Sequence, residues 1–243
     1  MERHGTSVRM TPVALGILLA IAGILIWTWL VRTVILPPVV QALGAYLVVW
    51  IPLGACAWAG RRRAALRVAS NPRESAGAGI PSFAFRPIDL LWGAGIGLLL
   101  RGVATSIEFV ATGRMPAGGA AVLIDPTTAW LVLVVAPILV APFVEEWFFR
   151  GTTLPVVRDA TASAGASRVS PRVATATGVV VSALLFGLLH AVEAPSPTSA
   201  VVTAASALCL GIAVGALVAF TNRLGGAIIA HAVFNGTLIA LLV

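Results

Sequence analysis

Seven stretches of the chain are long, apolar and nearly free of charge, and they are separated by short segments in which the charges collect. The pattern predicts spans over about 11–31, 33–60, 88–112, 126–145, 173–192, 197–220 and 224–243, each near the roughly 20 residues that a membrane-crossing helix needs. Pro37-Pro38 marks the turn between the first two. Residues 61–88, with six arginines plus Ser, Gly and Pro, form the one hydrophilic linker. The first span is longer than a typical signal-peptide core and lacks a clear small-residue cleavage site, so it is expected to remain uncleaved. The fold class expected is all-α: a multi-pass transmembrane helix bundle with about seven spans.

Composition agrees. Hydrophobic residues make up 59% of the 243 and charged residues 10%, and the mean hydropathy is +1.00. So few charges could not cover the core of a water-soluble domain, which sets aside soluble, disordered and fibrous classes. The net charge of +7 comes from sixteen arginines and no lysine, a bias that suggests a GC-rich bacterial source. In a soluble protein this charge would suggest nucleic-acid binding. Here the arginines sit in loops, no nucleic-acid partner is expected, and the charges read as topology. Arg3, Arg9, the six of the linker, Arg150, Arg158, Arg168, Arg172 and Arg223 fall on one side, against Arg32 and Arg114 on the other. This asymmetry places the N-terminus inside, in a bacterial inner membrane with the lipid bilayer as a partner. Trp27, Trp29, Trp58 and Trp130 sit near predicted span ends, as interfacial tryptophans do. Cys56 and Cys209 read as buried small hydrophobes. Gly93-x-x-x-Gly97 and Gly211-x-x-x-Gly215 read as close helix packing.

Polar groups inside apolar spans are costly and mark function by default. Arg101 and Glu108, seven residues apart in the third span, share a helix face and are expected to turn inward or toward each other as structural groups. The larger anomaly lies further on. Glu145-Glu146 sits among aromatic and aliphatic residues, His190 ends the fifth span, and His231 and Asn235 stand in the seventh. Glu145 and Glu146 point about 100° apart around a helix. Glu146 and Arg150, at i, i+4, can pair and leave Glu145 to face a cavity. His231 and Asn235, also at i, i+4, project from one side. Singly, each of these has a structural reading as an ion pair or interhelical hydrogen bond; together they suit hydrolysis. A carboxylate kept from bulk water can take a proton from a water molecule, a histidine can orient that water, and a second histidine with an amide can stabilise an oxyanion. The alternative is a zinc ion held by Glu145, His190 and His231 with one open position, although the H-E-x-x-H arrangement is absent.

Glu145-Glu146-x-x-x-Arg150, Phe186-x-x-x-His190 and His231-x-x-x-Asn235 resemble, in order, the three motifs of the CAAX-protease and bacteriocin-processing (CPBP, Abi or Rce1-like) intramembrane proteases. The resemblance covers about 126–243 and implies a protease domain there, with 1–125 as an N-terminal transmembrane region containing the basic cytoplasmic linker. It implies Glu145 as the catalytic carboxylate acting with His190 on water, His231 and Asn235 as the oxyanion site, and Glu146 and Arg150 in support. Its substrates would be membrane-associated, lipidated or leader-type peptides or membrane proteins. A metal-free glutamate mechanism is favoured, so no cofactor is expected, with zinc as the alternative. Two other functions compete: an ion- or proton-coupled transporter, which would show flux without cleavage, and a non-catalytic immunity or scaffold protein, which would tolerate Glu145→Gln. The lack of inverted repeats weighs against the transporter.

Depth poses a problem for convergence. Along straight helices His190 lies about 27 Å beyond Arg172 and His231 about 12 Å beyond Arg223, whereas Glu145 is near the inner end if its helix stops at Arg150. Continuation to about Val157 would put Glu145 about 18 Å deep, with tilt of the fifth span making up the remainder.

Overall fold

The computed structural model describes residues 3–70, 79–115, 130–163 and 169–242. Among them it shows seven helical rods and no strands beyond one isolated bridge. These are α1 (Arg3–Thr33), α2 (Pro38–Ser70), α3 (Pro87–Thr112), α4 (131–163), α5 (Pro171–Glu193), α6 (Pro197–Thr221) and α7 (Gly225–Leu242). Five of them, α1, α2, α3, α5 and α6, contain stretches long and apolar enough to cross a membrane, and α7 is a shorter apolar helix. The molecule is a multi-pass helical bundle. Leu18, Ile26, Leu91, Leu99 and Phe109 lie exposed on it, as lipid-facing side chains would. The expected start of the fourth span near 126, the domain boundary at 125/126, and Arg73 and Arg168 fall outside the described residues.

The linker differs from expectation. Residues 61–70 extend α2, because Arg, Ala and Leu are strong helix formers and no breaker intervenes. Residues 79–86 are docked rather than loose. Ser82 exchanges backbone hydrogen bonds with Asn222 and Leu224 in the α6–α7 turn, Arg61 lies over the Phe83 ring, and Arg223 forms a two-point ion pair with Asp89 at 2.6 and 3.2 Å. That pair holds the Arg223 guanidinium to its charged form more firmly than water would.

α4 is not a uniform helix. It runs as π-helical Leu131–Val140, α-helical Ala141–Phe148, π-helical Phe149–Thr153 and α-helical Leu154–Ser163. In the π register an N–H reaches back five residues. Prolines lack the N–H, and Pro142 and Pro155 each follow the end of a π stretch by two residues. The helix outruns the expected stop at Val157. Glu145 stands about 27 Å from the Ser163 end and His190 about 28 Å from the start of α5, so along the antiparallel α4–α5 pair the two reach similar depths.

Both glycine pairs pack helices closely. A Cβ on Gly97 would stand 2.6 Å from the Ala230 carbonyl, and one on Gly93 would strike Ile229, so α3 lies directly on α7. A Cβ on Gly211 would meet Ala183 of α5 and the Arg150 guanidinium. Cys56 and Cys209 are free thiols, the first buried. Arg101 turns inward, as expected, but not onto Glu108. Its Nε donates to the Phe234 carbonyl at 3.0 Å and its guanidinium lies 3.8 Å from the Phe234 ring, which ties α3 to α7 between His231 and Asn235.

Candidate active site

The α-helical stretch between the two π segments carries Glu145 and Glu146, and its neighbours decide how they differ. Glu146 and Arg150 are both 0% exposed. Arg150 Nη1 donates to Glu146 Oε1 at 3.0 Å, so the expected i, i+4 pair is formed. The same oxygen accepts from His231 Nδ1 at 3.0 Å. A carboxylate oxygen that takes a guanidinium proton accepts, so Nδ1 carries the hydrogen and Nε2 is left facing away.

His190 is fixed in the same sense by its own helix. Its Nδ1 donates to the Phe186 carbonyl at 3.0 Å. The Phe186 ring lies tilted against the His190 ring at 4.4 Å, meets His231 edge-on at 5.6 Å, and lies 4.6 Å from the Arg150 guanidinium. The aromatic residue four before the histidine is thus a wedge that orients both imidazoles.

Both free Nε2 atoms converge on one point. His190 Nε2 and His231 Nε2 are each 3.9 Å from Glu145 Oε2, and that oxygen is buried and makes no hydrogen bond. A separation of 3.9 Å is too long for direct hydrogen bonds and short enough for a bridging water. The three groups line a cavity of about 270 Å³. Asn235 is on the same wall, but its Nδ2 donates to the Pro137 carbonyl at 2.8 Å, so one amide hydrogen is committed to α4 and one is left. Arg150 lies beneath the cavity, not in it.

Residues 127–237 match the family described as type II CAAX prenyl endopeptidase Rce1-like. They form an Rce1-like domain. It takes in somewhat under half of the chain, and no curated protein and no solved structure is detectably similar to the sequence. The chain is therefore a multi-pass membrane protein that carries a domain of the CAAX-type intramembrane protease family, and all six motif residues lie inside that domain.

The cavity is nevertheless not built from the Rce1-like domain alone. Ile24, Trp27, Tyr46, Val49 and Trp50 of α1 and α2 complete its wall. Trp50 lines the cavity together with Glu145, and Tyr46 stacks on Trp50 at 4.7 Å. The motif reading passes over these residues. The available signal was Tyr46, the single tyrosine of the chain, four residues before a mid-span tryptophan. Glu193, one helical turn beyond His190, is a second carboxylate on the cavity wall.

The fit of a zinc ion can be judged from the donor spacing. Tetrahedral zinc with bonds of about 2.0–2.2 Å separates its ligand atoms by about 3.4 Å, less than the 3.9 Å here. Among the described residues no three His, Cys, Asp or Glu side chains are disposed as a metal-ligand set. As placed, Glu145, His190 and His231 do not form one.

Proposed function

We propose that the protein is an intramembrane endopeptidase that hydrolyses membrane-associated, lipidated or leader-type peptides in a bacterial cell membrane, with Glu145 as the base that activates water. The observation that carries this reading is the convergence of two imidazole Nε2 atoms, from different helices, on the unpartnered Glu145 Oε2 at 3.9 Å each.

The two glutamates divide the labour through their partners. Glu146 is neutralised by Arg150 and fixes His231. Among the described residues no arginine pairs with Glu145, so it can give up and regain a proton during a cycle. A water between Oε2 and the two Nε2 atoms donates one hydrogen to Glu145 and the other to an imidazole. As the water oxygen bonds to the peptide carbonyl carbon, its proton passes to Glu145 and the carbonyl oxygen becomes an oxyanion. His231, when protonated on Nε2 with its Nδ1–H held by Glu146, donates to that oxyanion, and the second hydrogen of Asn235 adds to it. Glu145 then delivers its proton to the departing nitrogen, the C–N bond breaks, and a carboxylic acid and an amine result. The aromatic and aliphatic wall from α1 and α2 suits an apolar or lipidated segment of substrate.

Purified protein in liposomes, given a peptide library, tests the reading. Wild type should cleave, Glu145→Ala and His190→Ala should not, and a chelator should leave wild type active. Loss in chelator with rescue by zinc would replace the glutamate mechanism by a metal one. Proton or ion flux without cleavage would replace the protease by a transporter.

A further inference from the structure

Two prolines in α4 stand five residues apart, the interval of the π-helical hydrogen bond. In Leu131–Val140 that bond links N–H(i) to the carbonyl of i−5, and the stretch ends with Ala141 N–H on the Ala136 carbonyl. The next two bonds of interest cannot form. The donor for the Val132 carbonyl would be residue 137 and the donor for the Pro137 carbonyl would be residue 142, and both are prolines. A buried carbonyl without a donor is costly, and each of these two receives one from another helix. Tyr46 Oη of α2 donates to the Val132 carbonyl at 3.1 Å. Asn235 Nδ2 of α7 donates to the Pro137 carbonyl at 2.8 Å. Tyr46, Pro137 and Asn235 all line the cavity that Glu145 faces.

The consequence falls on Glu145. It lies three residues after Pro142, on the α-helical stretch that begins where the π register stops. Its direction around the helix is set by where that change occurs, because a change of one residue in register turns all that follows by a large part of the 100° per residue of an α-helix.

We infer that Tyr46 and Asn235 are positioning residues that replace the two hydrogen bonds the prolines omit, hold the π register and so aim Glu145 at the two imidazoles. For Asn235 this is a role besides the oxyanion site. The effect on cleavage rests on the protease reading; the effects on stability and on the His190 ring do not.

The prolines supply the test. Tyr46→Phe and Asn235→Ala should each lower the melting temperature in detergent and shift the ¹⁵N resonance of His190 Nε2, as Glu145 turns from it. They should lower kcat on the order of 10²-fold, the scale of a misplaced reacting group, with KM little changed. Restoring the missing N–H should relieve the need for its substitute. Pro137→Ala should rescue the stability of Tyr46→Phe, and Pro142→Ala that of Asn235→Ala. The crossed pairs, Pro142→Ala with Tyr46→Phe and Pro137→Ala with Asn235→Ala, should not. Equal rescue by matched and crossed pairs, single variants as stable as wild type, or an unmoved His190 resonance would each overturn the inference. If wild type cleaves no peptide, the protease reading fails while melting and resonance still decide this one.

Discussion

The first three helices and the last four contribute to one cavity in different ways. α4, α5 and α7 bring the carboxylate and the two imidazoles that would hold the proposed water: Glu145, His190 and His231. α1 and α2 bring an apolar wall with one polar contact to α4, Tyr46 to the Val132 carbonyl. α3 touches the site only through its grip on α7, by Gly93, Gly97 and Arg101. In the proposed mechanism the later half supplies the chemistry and the earlier half holds it in place. A family match confined to 127–237 is what such a division would leave, since an apolar wall can be built from many sequences.

The division can be broken by single substitutions. The largest effect should come from Glu145→Gln, which keeps the shape and removes the base: cleavage should fall by about 10²–10⁴-fold with melting unchanged. Next, Arg150→Met should destabilise the fold by about 3–5 kcal/mol, because Glu146 is left as an uncompensated buried charge. Adding Glu146→Gln should recover part of that loss in a denaturant titration. In the earlier half, Gly97→Leu should cost about 1–3 kcal/mol, the range for overpacking, since the Ala230 carbonyl is backbone and has little room to yield. The smallest effect should be that of Trp50→Phe. The change trims the cavity wall beside Glu145 and keeps it aromatic, so cleavage should slow by no more than about fivefold with melting near wild type. A Trp50→Phe loss as large as that of Glu145→Gln would mean that the chemistry is not confined to the later half.

The seven helical rods among the described residues, the Pro37-Pro38 turn and the ends of α3, α5, α6 and α7 were legible because charge and proline interrupt the apolar pattern there. The ordered motif brought Glu145, Glu146, Arg150, His190, His231 and Asn235 to notice for the same reason: each is a polar group where polar groups are costly. The π stretches were not legible. Residues 131–140 are apolar throughout, so no face is marked and no period can be read. The run of α4 to Ser163 was only partly so, because Gly151 and Arg158 look like an ending until Leu154 and Val157 are seen buried against the bundle. Tyr46 and Trp50 escaped notice because aromatic residues are ordinary in spans. Tyr46 matters for the carbonyl it reaches on another helix, and Trp50 for its place on the cavity wall.

The proposed chemistry depends on one carboxylate oxygen facing two imidazoles. The protein has three histidines, His4, His190 and His231, so ¹⁵N-histidine labelling in bilayers gives a spectrum that single substitutions can assign. Glu145→Gln should move the Nε2 resonances of both His190 and His231 and leave His4 where it was. If either His190 or His231 ignores the substitution, Glu145 does not stand between them and the proposed site does not exist.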